Sequence, residues 1–282
     1  MQATPTAYDP PTVSVGFVEP RPSLTTRLVA RLLGTAVGPL FGMASFVRRR
    51  RAVHPYGGAY AVTITIDELL SSLAGTAFGN KVRLVGIVRL SHGFGRSAGK
   101  ADVRGFALRA LGPDGARKQD IVMMSTFTRG VRQMMSLPTS YTTRYSSVVP
   151  LTGPQGPLVF TCFPLESGAA DQFFDRGRAT GFRFELQAGA PHGTPYRFAE
   201  IELGQPLSAD EAERLRFDPC NAELGLVPID TINLIRKVVY PMSQVGRSVW
   251  YPNRPVPPTT RISSDPAQDH ASAASAARPG SR

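Results

Sequence analysis

The chain is poor in the residues that staple a fold covalently or through a metal. Its 282 residues include two cysteines, Cys162 and Cys220, and four histidines, His54, His92, His192 and His270. Neither cysteine has a C-x-x-C neighbour and the histidines are scattered, which argues against a disulfide framework and against a closed zinc site. Acidic residues are also in deficit, 21 against 32 Lys and Arg, for a formal net charge of +11. Such an excess invites an anionic partner, nucleic acid or membrane. Here it is spread along the chain, with one dense run at Arg48 to Arg51, and nucleic acid is disfavoured. Long hydrophobic runs are missing too. Leu32 to Val47 is uncharged for 16 residues, short of the roughly 18 to 20 that a bilayer-spanning helix needs. Gly34, Gly38, Pro39 and Gly42 interrupt it. The reading is a helix packed on the domain surface, with peripheral membrane contact as the lesser alternative. The N-terminus lacks a charged segment followed by an apolar one, so the expected location is cytoplasmic, membrane-peripheral in the alternative.

What is present is a globular composition, 42% hydrophobic, with 27 Gly and 25 Pro that predict many turns. Residues 1–22 are Pro-rich and aperiodic, an expected extended arm. Residues 252–282 are rich in Pro, Ser and Ala and hold too little apolar surface to offset ordering entropy, an expected disordered tail. One folded unit is expected over 23–251.

Within that unit the pattern alternates with period two. Val62, Ile64 and Ile66 face one side and Thr63 and Thr65 the other; Val82, Leu84, Gly86, Val88 and Leu90 repeat the pattern. Similar short segments lie at Phe106 to Leu111, Ile121 to Met124, Leu158 to Phe163, Phe182 to Leu186 and Phe198 to Leu203, and Gly112-Pro113-Asp114-Gly115 is a turn. This spacing predicts an antiparallel barrel or sandwich in an α+β protein. Helices are fewer. Ser208 and Glu211 form a capping box, and Asp230 is placed to cap a helix through Ile232, Ile235 and Val239. On that helix Arg236, Tyr240 and Arg247 fall within about 40° of one another at roughly 100° per residue, and Pro241 is expected to bend it.

An Arg four residues before a Tyr on one helical face favours phenolate, a hard oxygen donor suited to ferric iron. The plain alternative is a surface Arg stacked on a half-buried Tyr. Several local sequences extend the first reading. Arg236-Lys-Val-Val-Tyr240-Pro241, followed by Arg247, resembles the haem-ligand helix of catalases, R-x-x-x-Y-P with an Arg seven residues after the Tyr. Phe217-Asp218-Pro219 resembles the F-[DN]-P that opens that segment. Asp102-Val-Arg104-Gly105-Phe106-Ala107-Leu108-Arg109, a turn and Asp120-Ile-Val resemble D-x-R-G-F-A-x-K, turn, D-L-V. Val88-Arg89-Leu90-Ser91 resembles V-R-F-S, and the stretch from Arg51 through His54 to Tyr60 resembles R-V-V-H-A-K-G-x-G-A-F. The resemblance covers about residues 48 to 247 and is closest to the short, catalase-related haem peroxidases.

It implies a catalase-like antiparallel β-barrel with flanking helices and a haem-ligand helix after the barrel. It implies a ferric b-type haem (heme) with Tyr240 as axial ligand and Arg236 hydrogen-bonded to the phenolate. His54 would be the distal proton shuttle, oriented by Ser91, and Arg51, Arg89 and Arg247 would pair with the propionates. The implied activity is peroxidatic, on hydrogen peroxide or an organic, fatty-acyl included, hydroperoxide, with an electron donor as second partner. Where catalases carry G-N-N-T after D-L-V, this chain has Met123-Met124-Ser125-Thr126. Ser125 matches the distal Asn but offers a single hydroxyl, and the methionines make the site less polar, so weak dismutation is expected. The alternative is a degenerate barrel without haem that binds lipid or docks at a membrane. As an isolated chain or an oligomer, either reading stands.

Overall fold

The computed structural model describes residues 23–48, 54–96, 99–112, 115–127, 135–166, 174, 178–191, 193–228 and 231–249. The arm at 1–22, the tail at 252–282, Arg51, Pro113-Asp114, Met134, His192 and Asp230 lie outside them, as does the side chain of Arg247.

Among the described residues nine strands carry the fold: β1 (Tyr56–Ile66), β2 (Arg83–His92), β3 (Arg104–Leu111), β4 (Lys118–Ser125), β5 (Tyr145–Ser146), β6 (Leu151–Gly153), β7 (Gly156–Pro164), β8 (Arg183–Gly189) and β9 (Tyr196–Pro206). Their order is β5-β4-β3-β2-β1-β9-β8-β7-β6, and β5 also pairs with β7 through Tyr145↔Cys162 and Ser146↔Thr161. That second pairing closes eight antiparallel strands into a barrel, with β6 a hairpin arm on β7. Closure leaves the ring without an open edge. Of the two folds that the alternation allows, the chain adopts the barrel.

The inner face is set by the period-two pattern. Val88 and Leu90 of β2, Phe106 and Leu108 of β3 and Ile121 and Met123 of β4 point into one apolar core. Phe106 meets Phe184 with ring centroids 5.0 Å apart and Tyr145 at 5.2 Å, so aromatic edges fill the interior. The strands expected from alternation are all present. β5 and β6, of two and three residues, are too short to show a period and become strands only through their partners.

Among the described residues α1 (Leu24–Arg48), α2 (Ala209–Arg214) and α3 (Thr231–Ser248) flank the barrel. The capping box forms as expected, with Ser208 Oγ accepting from Glu211 N and the Glu211 carboxylate accepting from Ser208 N. α1 is longer and more regular than expected. Its glycines are where it meets α3: a Cβ on Gly34 would stand 2.7 Å from Val238 Cβ, one on Gly38 2.0 Å from Met242 Sδ, and one on Gly42 3.1 Å from the Met242 carbonyl oxygen. A glycine every fourth residue lets two helix backbones approach closely, which offsets the helix propensity those glycines lose. Helical geometry also continues through Pro39 and Pro241. Both prolines, and the residues four before them, Thr35 and Lys237, are exposed, so the carbonyls deprived of a partner can be hydrated.

Candidate functional site

Where β2 and β3 bury their even-numbered side chains and β4 its odd-numbered ones, the opposite set faces outward, and part of it forms the floor of a cavity of about 290 Å³. Arg89 and Ser91 of β2, Gly105 and Ala107 of β3, and Val122 and Met124 of β4 lie on this floor, in register as Arg89↔Ala107, Ser91↔Gly105, Ala107↔Val122 and Gly105↔Met124. The facing wall is α3. Arg236, Val239, Tyr240, Ser243 and Gln244 line the cavity at spacings of three and four, one stripe of the helix. Leu215, Arg216 and Phe217 close a side.

His54 enters from the segment before β1 and is held at three points. Its N–H donates to the Gly93 carbonyl at 3.0 Å, its own carbonyl accepts from Arg89 Nη2 at 3.1 Å, and Nδ1 lies 3.0 Å from Ser91 Oγ. Its φ is +59°, the left-handed region that costs a side-chain-bearing residue roughly 1–2 kcal/mol. Gly105 makes the room. A Cβ there would come within 2.6 Å of His54 Cε1, His54 Nδ1 and Ser91 Oγ together.

Tyr240 is partly open to the cavity and shielded from bulk water. Burial holds its phenol above the ordinary value of 10; the Arg236 charge opposes this, and Asp218, Cys220 and Asp120 reinforce it. The expected influence of Arg236 is present in sign and smaller than the burial effect. Arg236 donates its hydrogen bond to Asn233 Oδ1, at 3.3 Å. Cys220 is pushed up to about 11 by burial and by the Asp218 carboxylate, which keeps it a thiol at neutral pH.

The segment that closes the side is tied to the barrel by one buried carboxylate. Asp120 accepts Arg109 Nε and Nη2, both at 2.7 Å, and also accepts Asp218 N at 2.7 Å and Asn221 Nδ2 at 2.8 Å. Arg109 also donates to the Arg216 carbonyl, and its guanidinium lies over the Phe217 ring. Three quoted sequence segments, around Arg109, Asp120 and Phe217, thus meet at one place. A second cluster shapes the end of β2. Asp102 accepts Phe94 N and Arg96 N, and Arg104, buried beside it, reaches His92 Nδ1 at 2.7 Å.

The structure therefore brings together His54, Ser91, Arg89, Arg236 and Tyr240 around one cavity. It does not bring Ser125 there. Ser125 is fully buried on the inner face of β4, where Oγ accepts from Arg104 N at 3.0 Å and donates to the Ser136 carbonyl at 2.8 Å. The expectation of a distal serine is corrected by strand alternation: the cavity position is Met124, one residue earlier, which offers no comparable hydrogen bond. Arg51 and the Arg247 side chain, both expected from the resemblance to pair with propionates, lie outside the described residues.

Arg216 was not visible as a site residue, because nothing in its local sequence marks it. Partial burial at the edge of the cavity holds its guanidinium below the ordinary value. Ser147, Ser243 and Gln244 join the lining without a sequence signal, since each depends on which residues face it across space.

Chemically, the cavity offers an imidazole with an oriented ring, a phenol oxygen, cationic groups at its border and an apolar floor. Among the described residues no three His, Cys, Asp or Glu side chains cluster as a metal site. No protein-family model matches the chain, and no curated protein matches it significantly.

Proposed function

We propose that the chain is a haem-dependent peroxidase of catalase-like type, reducing an organic hydroperoxide at the expense of an electron donor. The observation that supports this most is that His54, on the barrel, and Tyr240, on α3, face the same cavity although 186 positions separate them in sequence (240 − 54 = 186). The donor set fits haem rather than a bare ion. A single phenol oxygen suits iron whose remaining ligands come from a macrocycle, and no multidentate protein cluster accompanies it among the described residues. Arg89 and Arg216 at the border suit carboxylate groups.

A haem held by Tyr240, with Arg89 and Arg216 toward its carboxylates, would supply the redox couple between hydroperoxide and donor. The overall balance is ROOH + AH₂ → ROH + H₂O + A, with two electrons and two protons from the donor. The chain handles the protons. With Nδ1–H of His54 donating to Ser91 Oγ, Nε2 is left with a lone pair to take the hydroperoxide proton and return it to the departing oxygen. Ser91 and Gly105 fix the ring, and Arg89 fixes the backbone behind it. Ala107, Val122 and Met124 make the floor apolar, which favours an alkyl hydroperoxide over hydrogen peroxide and leaves dismutation weak.

The purified protein's visible spectrum tests this. A Soret band that disappears or shifts in Tyr240→Phe supports the reading, and a chain that takes up no haem overturns it. The same apolar floor suits the alternative, a haem-free barrel holding a lipid, which a colourless protein carrying bound fatty acid would establish.

A further inference from the structure

The face of α1 turned away from α3 has no charged residue along its whole length. Across the helix from the Gly34–Gly38–Gly42 stripe, about 120–180° from Gly38 at roughly 100° per residue, stand Leu32, Leu33, Leu40, Met43 and Val47. They are open to solvent, Leu32 at 62%, Leu40 and Met43 at 60% and Val47 at 72%. A surface helix in water normally turns its apolar stripe inward. This one packs its glycines inward and presents its large side chains outward, so its outer face is built for an apolar medium.

The charge around that face has one sign. Between Glu19 and Asp67 the sequence holds seven arginines and no acidic residue. Arg27 and Arg31 are exposed on the first two turns of the same helix. An exposed apolar face on a helix whose charged residues are all arginine complements an anionic lipid surface, acyl chains meeting the apolar side chains and phosphates the guanidinium groups. No helix among the described residues is long and apolar enough to cross a membrane, which fits a helix lying in the interface.

We infer that α1 is a membrane-docking helix that seats the protein on an anionic bilayer, with α3 and the cavity held on the side away from the lipid. The inference stands on exposure and charge and does not depend on haem. A second copy of the chain is the other occupant such a face could take, and the arginines disfavour it, because two copies would bring like charges together.

Flotation of the full chain with vesicles tests this. The chain should float with phosphatidylcholine–phosphatidylglycerol vesicles, stay behind with phosphatidylcholine alone, and detach at high salt. Leu32→Glu with Leu40→Glu should abolish flotation, and Arg27→Gln with Arg31→Gln should weaken it roughly tenfold or more. Met43→Trp gives an independent reading should the glutamates impair folding: its emission should shift to the blue with anionic vesicles and stay unchanged with neutral ones. Flotation that survives the glutamates in a folded protein, or a Met43→Trp emission indifferent to vesicles, overturns the inference. So does a dimer in solution that Leu32→Glu and Leu40→Glu convert to monomer while wild type ignores vesicles. The Soret band is read separately, so failure here and failure of the peroxidase reading are distinguishable.

Discussion

His54 reaches Ser91 at 3.0 Å across a gap that exists because residue 105 has no side chain. Gly105→Ala would put a methyl group within 2.6 Å of both partners. The neighbours there are a ring held at three points and a strand hydroxyl, so the ring must leave. We expect a cost of about 1–3 kcal/mol in urea unfolding and a loss of peroxide reactivity close to that of His54→Ala, roughly 10²- to 10⁴-fold with haem content unchanged. Normal reactivity in Gly105→Ala would remove His54 from the proton-shuttle role.

The positive φ of His54 separates stability from function at one position. Glycine tolerates that backbone and alanine does not, so His54→Gly should be more stable than His54→Ala by about 1 kcal/mol. Both lack the imidazole and should be equally slow with hydroperoxide. Thermal unfolding of the pair, followed by stopped-flow reaction with cumene hydroperoxide, checks the two halves.

Ser125 and Met124 should exchange the roles expected of them from sequence. Ser125→Ala leaves a buried Arg104 N–H and a Ser136 carbonyl without their hydroxyl partner, at a cost of about 1–3 kcal/mol, and should leave peroxide chemistry intact. Met124→Asn places an amide on the cavity floor and should raise the ratio of oxygen release to donor oxidation. An unchanged ratio, with haem bound, would mean that the amide does not reach the substrate.

Asp120 organises the wall next to the cavity by accepting four hydrogen bonds. Asp120→Asn removes the charge opposite Arg109 in a buried site, which typically costs about 3–5 kcal/mol. Denaturant unfolding should show that loss, and haem affinity should fall with it because Arg216 and Phe217 are no longer held. A change below about 1 kcal/mol would show that the segment is fixed by other contacts.

The two helix glycines should respond with opposite signs. Gly38→Ala meets the thioether of Met242, a flexible end that can swing aside, and gains roughly 1 kcal/mol of helix propensity, so it should be neutral or stabilising. Gly34→Ala meets the β-branched Val238 at Cβ, which moves only with its backbone, and should destabilise. Thermal unfolding of the two variants side by side decides this.

The strands of the barrel are legible in the chain because a side chain's face depends only on its own position in a period of two: Val88 and Leu90 go in, Arg89 and Ser91 out, whatever the partner strand. The Ser208 capping box and the helix carrying Tyr240 are legible for the same reason, since their signals lie within a few residues. Sequence motifs also pointed to His54, Ser91, Arg89, Arg236 and Tyr240, which the fold gathers around one cavity. What local pattern left open needed long-range contact. Barrel rather than sandwich was decided by two residues, Tyr145 and Ser146, pairing with β7. The glycines of α1 look like helix breakers until Val238 and Met242 stand opposite them. Met124 rather than Ser125 faces the cavity because the register of β4 against β3 orients the strand, which no local motif fixes. Arg216 carries no local mark at all; burial beside the cavity is what makes it a candidate for binding an anion, and burial is a property of the folded chain.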